Sequence, residues 1–234
     1  MSKQYPTHSC KKIAWLIDPE KEIINDVFKA QIQSVPDSQI ILVGGSTCSS
    51  EQFQTVVSFV YEYAFCLVLI FPGSNQQISS EADGILLLSL VSGNNPNYLI
   101  TQHIEAAQAL KKSNLVIYPT GYLLIDGGII SSANKVTATN SIPSQNIGSI
   151  VNTSLAATQL GMSSIYLEAG SGALNVIDFN TIFRVRKNIT KQTLWVGGGI
   201  KTKEQITLAH KAGANVVVIG NAIENNPDLL KQLF

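Results

Sequence analysis

The sequence predicts one closed (β/α)8 barrel over residues 1–234, and three observations carry that expectation. Eight short β-rich runs recur along the chain, most are followed by a helix-length amphipathic stretch, and no linker separates two halves. The 234-residue length is close to the ~250 residues typical of such a barrel.

The runs are Lys12–Asp18, Gln39–Gly45, Phe65–Phe71, Gly84–Val91, Leu115–Ile125, Ser163–Glu168, Thr193–Gly197 and Asn215–Ile219. Their nearly unbroken apolar character suits parallel strands covered on both faces, whereas half-exposed antiparallel strands would alternate. The stretch Pro96–Lys112 starts near a proline and ends on two lysines, which complement the carbonyl end of a helix. Thr202–Gly213 pairs Thr202 with Gln205 in a capping box and closes on glycine. The link Pro72–Asp83 is weakly helical, so an irregular segment is expected after the third strand. Residues 126–143 are rich in glycine and serine and follow the fifth strand. In a barrel they form a loop on the catalytic face, either a lid or channel wall or a floppy surface excursion. A doubly wound open sheet is the competing arrangement.

Composition narrows the function. Sixteen basic residues balance sixteen acidic ones and only 14% of the chain is charged, so there is no basic footprint for nucleic acid and no polybasic membrane anchor. The three cysteines, Cys10, Cys48 and Cys66, have no metal-ligand spacing, and Cys66 reads as core. A disulfide framework is not expected, which fits a reducing cytoplasm. The apolar runs are strand-sized and no signal peptide precedes them, so no membrane span is expected.

The ends of the last three strands carry the strongest chemical signal. They read Tyr166-Leu-Glu-Ala-Gly-Ser-Gly172, Trp195-Val-Gly-Gly-Gly-Ile-Lys201 and Val218-Ile-Gly-Asn-Ala222. Three glycine turns at this face predict a phosphate site built from backbone amides; the alternative is three ordinary tight turns. A branched side chain at Gly198 is expected to block phosphate while leaving the fold intact. Glu168, the acid at the end of the sixth strand, is a candidate general base, or else a cap or solvated loop acid. Asp18 closes the first strand before Pro19. It is either a Mg2+ ligand beside substrate phosphates or the N-cap of a helix with proline in its first position. Gly44-Gly-Ser-Thr47 offers donors across the mouth. Tyr118–Tyr122 either border a pocket or mark a strand bend at Pro119. His8, His103 and His210 sit at no strand end, so no catalytic histidine is expected.

At these residues the chain resembles the geranylgeranylglyceryl phosphate synthase family, which includes the bacterial heptaprenylglyceryl phosphate synthases. The resemblance spans Ile13 to Pro227. It rests on Leu16-Ile-Asp-Pro19 with Lys21, Gly44-Gly-Ser46, Tyr118-Pro-Thr-Gly-Tyr-Leu-Leu-Ile-Asp-Gly-Gly128, the Tyr166–Gly172 turn, Gly197-Gly-Gly-Ile-Lys201 and Gly220-Asn221. It implies a (β/α)8 barrel that transfers a prenyl group from a prenyl diphosphate to the 3-hydroxyl of sn-glycerol 1-phosphate, using Mg2+. By the same resemblance Asp18 and Ser46 bind the metal. Tyr166, Leu167, Glu168, Ala169, Gly170, Ser171, Gly172, Gly197, Gly198, Gly220 and Asn221 hold the glycerol phosphate, and Glu168 is the base.

Some bacterial members have a lysine two residues before the strand-one aspartate, where this chain has Leu16, and a shorter strand-six turn. The archaeal-type branch is therefore implied, with geranylgeranyl diphosphate as donor and Lys21 as a candidate cation for the phosphates. A homo-oligomer and brief contact with a membrane surface are further expectations. A sugar-phosphate isomerase or lyase, or a non-catalytic phosphate-ligand sensor, would share the same phosphate site.

Overall fold

The computed structural model describes residues 5–234, and its eight strands close into a barrel in chain order. The strands are β1 (Lys12–Ile17), β2 (Ile40–Val43), β3 (Leu67–Ile70), β4 (Gly84–Leu90), β5 (Val116–Leu124), β6 (Ser164–Glu168), β7 (Thr193–Gly197) and β8 (Val216–Ile219). Every neighbouring pair is parallel, and β1 closes the ring by pairing Ala14 with Ile40 on one side and Val218 on the other. The open-sheet alternative is thereby excluded.

Successive side chains alternate between two cores, as the pleat requires. Ala14, Ile40, Leu42, Leu69, Tyr166, Trp195 and Val218 fill the barrel interior. Trp15, Ile41, Val68, Ile70, Leu167 and Val217 point outward, under the helices. At the amino end, Tyr5 stacks on Tyr118 with ring centroids 3.5 Å apart, and its hydroxyl is hydrogen-bonded to Ser164 Oγ at 2.6 Å. Thr193 Oγ1 and Asn215 Nδ2 donate to the carbonyls of Pro6 and His8 at 2.9 and 2.8 Å. The N-terminal arm thus plugs this end and leaves the carboxyl end as the mouth.

The outer helices start where short polar side chains take up free amides. Asn25 caps α1 (Asp26–Ser34), Ser49 caps α2 (Ser50–Tyr63), and Asp178 caps the helix that precedes β7. No helix lies between β3 and β4 among the described residues, as the weak pattern over Pro72–Asp83 predicted. The helix expected from Pro96 begins instead with a π-helical turn, Asn97–Thr101, and continues as α3 (Gln102–Lys112) with Lys111 and Lys112 in its last turn. β5 runs through Pro119 without a break.

Residues 126–143 are structured, which corrects the reading of a floppy excursion. Ile142 bridges to Ile125, and Ser131 and Asn134 form a capping box that starts α4 (Ser132–Thr137). Tyr98 and Asn95 donate to the carbonyls of Val136 and Thr137 at 3.0 Å each, tying the segment to the turn before α3. Then follow α5 (Ile147–Gln159), α6 (Phe179–Asn188), α7 (Lys203–Ala212), α8 (Asn221–Asn225) and α9 (Asp228–Leu233). The Thr202–Gln205 capping box of α7 is formed and Gly213 ends that helix at φ 116°. No helix of the described residues is long and apolar enough to cross a membrane.

Candidate active site

The barrel mouth holds a polar cavity of about 270 Å³, with the ends of β1 and β2 on one side and the turns after β6, β7 and β8 on the other. Asp18, Ser46, Tyr166, Glu168, Ser171, Gly172, Gly198, Gly220 and Asn221 all line it, as does Lys21. The remaining residues implied for glycerol phosphate stand behind the lining. Leu167 and Ala169 send their side chains outward into the core under the helices. Gly170 has its amide taken by Glu168 Oε1 at 2.7 Å, and a side chain on Gly197 would collide with the Tyr166 hydroxyl. The pleat explains the split, because inward and outward positions alternate along β6.

The three turns present backbone donors. No group among the described residues takes up the amide hydrogens of Ser171, Gly172, Gly198, Gly199 or Gly220. Gly170, Gly172, Gly198 and Gly199 have φ of 106°, 75°, 90° and 73°, left-handed values that favour glycine. Ser171 Oγ donates to Asn221 Oδ1 at 2.7 Å and joins the first turn to the third.

Gly198 has a steric reason for being glycine beside the phosphate access expected from sequence. A Cβ there would meet Glu168 Oε1 and Gly170 N at 2.7 Å and Ala169 Cβ at 2.8 Å, so the missing side chain makes room for the neighbouring turn. Gly198→Ala is therefore expected to lower the denaturant midpoint by the equivalent of about 2–3 kcal/mol, from clash and left-handed strain together. Gly172→Ala should cost only about 1 kcal/mol, because the nearest atom to its Cβ is Ile129 Cδ1 at 3.8 Å. Urea melts of the two variants side by side check this; equal losses would refute the steric account.

Glu168 is 7% exposed, and burial lifts its carboxyl from 4.5 to about 7 against the opposing pull of the Gly170 amide and the Tyr166 hydroxyl. That hydroxyl is buried beside the carboxylate. A carboxylate so placed is half ionised near neutral pH and suited to take a proton from an alcohol.

Opposite, Asp18 is no helix cap, since α1 begins at Asp26 under its own Asn25 cap. Its Oδ1 accepts from the Glu20 amide at 3.2 Å, and Lys21 Nζ stands 3.4 Å from Oδ2 and 2.8 Å from Glu224 Oε2. Thr47 Oγ1 donates to Glu20 Oε2 at 2.6 Å. Glu22, close to Asp18 and Glu224, is raised to about 7 by burial and then by those two charges. This side of the mouth carries Asp18, Glu20 and Glu224 with the Lys21 ammonium among them.

A second cavity, about 110 Å³ and mostly apolar, lies beside the first. It runs past Ile78, Ile85, Leu87, Ala106 and Leu110, so it lies between β4 and α3 beside the link that has no helix. Ser46, Phe71, Gly73, Tyr122 and Ala133 line both cavities. Tyr122 thus borders a pocket as expected, whereas Tyr118 packs at the closed end. Sequence reading missed Phe71 and His103, whose Nε2 is hydrogen-bonded to the Leu88 carbonyl at 2.9 Å. Phe71 ends a buried strand with nothing to distinguish it from core, and His103 lies on a helix far from any glycine turn.

The PcrB family profile matches residues 8–234. The chain is 45% identical over 216 residues to the geranylgeranylglyceryl phosphate synthase of Zunongwangia profunda, covering 92% of each. It is 35% identical to the protein of that name from Sulfolobus acidocaldarius, covering 90% of this chain and 82% of the relative. The crystal structure of (S)-3-O-geranylgeranylglyceryl phosphate synthase from Thermoplasma acidophilum, in complex with its substrate sn-glycerol-1-phosphate, is similar with a TM-score of 0.87. That pair is 29% identical, and the match covers 96% of this chain and 91% of the other.

Proposed function

The chain belongs to the PcrB family, and on that footing we propose that it is a geranylgeranylglyceryl phosphate synthase. It joins C1 of a prenyl diphosphate, geranylgeranyl diphosphate by preference, to the 3-hydroxyl of sn-glycerol 1-phosphate and releases diphosphate. The observation that carries this reading is the polar cavity with its base and backbone donors sharing a wall with an apolar one. A sugar-phosphate isomerase has no use for the apolar arm.

In this reading the amides of Ser171, Gly172, Gly198, Gly199 and Gly220 bind the glycerol phosphate, and Lys201 at the rim adds positive charge. The Tyr166 hydroxyl and Glu168 orient the 3-hydroxyl, and Glu168 accepts its proton as the ether bond forms. The prenyl tail enters the channel between β4 and α3. One carboxylate and one hydroxyl at the mouth, Asp18 and Ser46, would hold a Mg2+ ion, which would supply positive charge to offset that of the diphosphate.

Incubation with labelled glycerol 1-phosphate and geranylgeranyl diphosphate tests the reading. Label should enter the organic phase only when both substrates and Mg2+ are present. Its failure to do so with a folded, glycerol-phosphate-binding protein would overturn the assignment.

A further inference from the structure

Three aromatic rings meet where the two cavities join. Phe71 follows β3 directly, and Tyr122 of β5 stands in register with Tyr166 of β6. Their centroids are 6.0 Å apart for Phe71 and Tyr122, 5.4 Å for Tyr122 and Tyr166, and 5.2 Å for Phe71 and Tyr166. All three line the polar cavity, and Phe71 and Tyr122 also line the apolar one.

The proposed reaction, on which this inference rests, fixes what must lie at that junction. The donor has an apolar tail and a multiply charged head, so the part of its tail next to the head lies in the apolar cavity and its head in the polar one. C1, the atom between them, then sits beside Phe71 and Tyr122. When the C1–O bond to diphosphate breaks, both bonding electrons leave with the diphosphate, and positive charge spreads over C1 and C3. A lone pair of the glycerol 3-hydroxyl forms the new C1–O bond, and the hydroxyl proton passes to Glu168. A carboxylate touching C1 would stabilise that charge but could itself capture the carbon as an ester. An aromatic face offers a negative potential and no nucleophile.

We propose that Tyr122 and Phe71 are catalytic residues whose ring faces stabilise the positive charge developing on the allylic C1–C3 unit of the donor. The ring of Tyr122 performs this role and its hydroxyl does not. The two side chains, which line both cavities, also screen C1 from water.

Single-turnover rates of Tyr122→Phe, Tyr122→Leu and Phe71→Leu test the inference, alongside calorimetric binding of glycerol 1-phosphate and a thermal melt. Tyr122→Phe should stay within about threefold of the unmodified rate, while each leucine variant should lose about thirtyfold, the size of a desolvated cation–π contact. Glycerol 1-phosphate affinity should be unchanged in all three. A donor fluorinated at C2, which disfavours the allylic cation, should slow the unmodified enzyme strongly. Full activity in both leucine variants, an equal loss in Tyr122→Phe and Tyr122→Leu, or insensitivity to fluorine would overturn the proposal. Absence of transfer by the unmodified protein would instead sink the reaction assignment, so the two failures are distinguishable.

Discussion

Glu168→Gln will lower prenyl transfer by roughly a hundred- to ten-thousandfold, the range for a lost general base. The geometry makes the substitution a clean one. The amide oxygen of glutamine can still accept from Gly170 N, as Oε1 does at 2.7 Å, so the turn that carries Ser171 and Gly172 keeps its shape. Glycerol 1-phosphate affinity should therefore change little while turnover collapses. The pH dependence gives an independent readout. The base must be ionised to work, so the rate should rise with pH and level off above its value of about 7.

Stability should run the other way. The folded-state value lies above the unfolded one, so the carboxyl contributes to stability in its protonated form. That contribution is full below 4.5 and is lost as pH rises through about 7. The glutamine variant, with no proton to lose, should melt with a weaker dependence on pH across that window. Calorimetry and product extraction on one preparation decide the matter, and near-normal transfer by the variant removes the base role whatever the binding shows.

The second large effect is expected at Asp18. Asn at this position keeps the oxygen that accepts from the Glu20 amide and loses the charge, so a merely structural aspartate would tolerate it. Turnover at limiting Mg2+ should fall on the order of a hundredfold and recover in part as the ion is raised. Calorimetric titration of inorganic diphosphate gives the same test without catalysis. Its Mg2+-dependent binding should weaken in Asp18→Asn, while glycerol 1-phosphate binding should not. Unaltered diphosphate binding would place the metal elsewhere.

What the sequence made legible follows a physical division. Buried parallel strands announce themselves because both faces must be apolar, and all eight were found to within two or three residues at either end, from Lys12 to Ile219. Turns that need positive φ show as glycines, which is why the ends of β6, β7 and β8 stood out. The reason for an individual glycine was less visible. At Gly198 the constraint comes from a carboxylate and a turn on the adjacent strand, contacts made only once β6 and β7 pair. The split of the Tyr166–Gly172 turn into lining and backing residues was hidden for the same reason. The apolar channel was the least legible feature. Its walls are ordinary core residues such as Ile85 and Ala106, and what makes it a channel is the helix that the Pro72–Asp83 link does not form.

That missing helix separates two kinds of specificity. Ile85 and Leu87 face away from the barrel interior, so the channel is an annex between the strand wall and α3, outside the closed ring that sets the glycerol-phosphate turns. Changes at Ala106 or Leu110 alter its depth without altering any strand register, and substitutions at Ser171 or Gly172 leave its walls untouched. Free-energy effects of remote, unshared residues add. Selectivity for the alkyl donor and selectivity for the acceptor should therefore behave as independent quantities in this enzyme. A variant retuned in one should combine with a variant retuned in the other, and the products of their separate selectivity ratios should describe the pair.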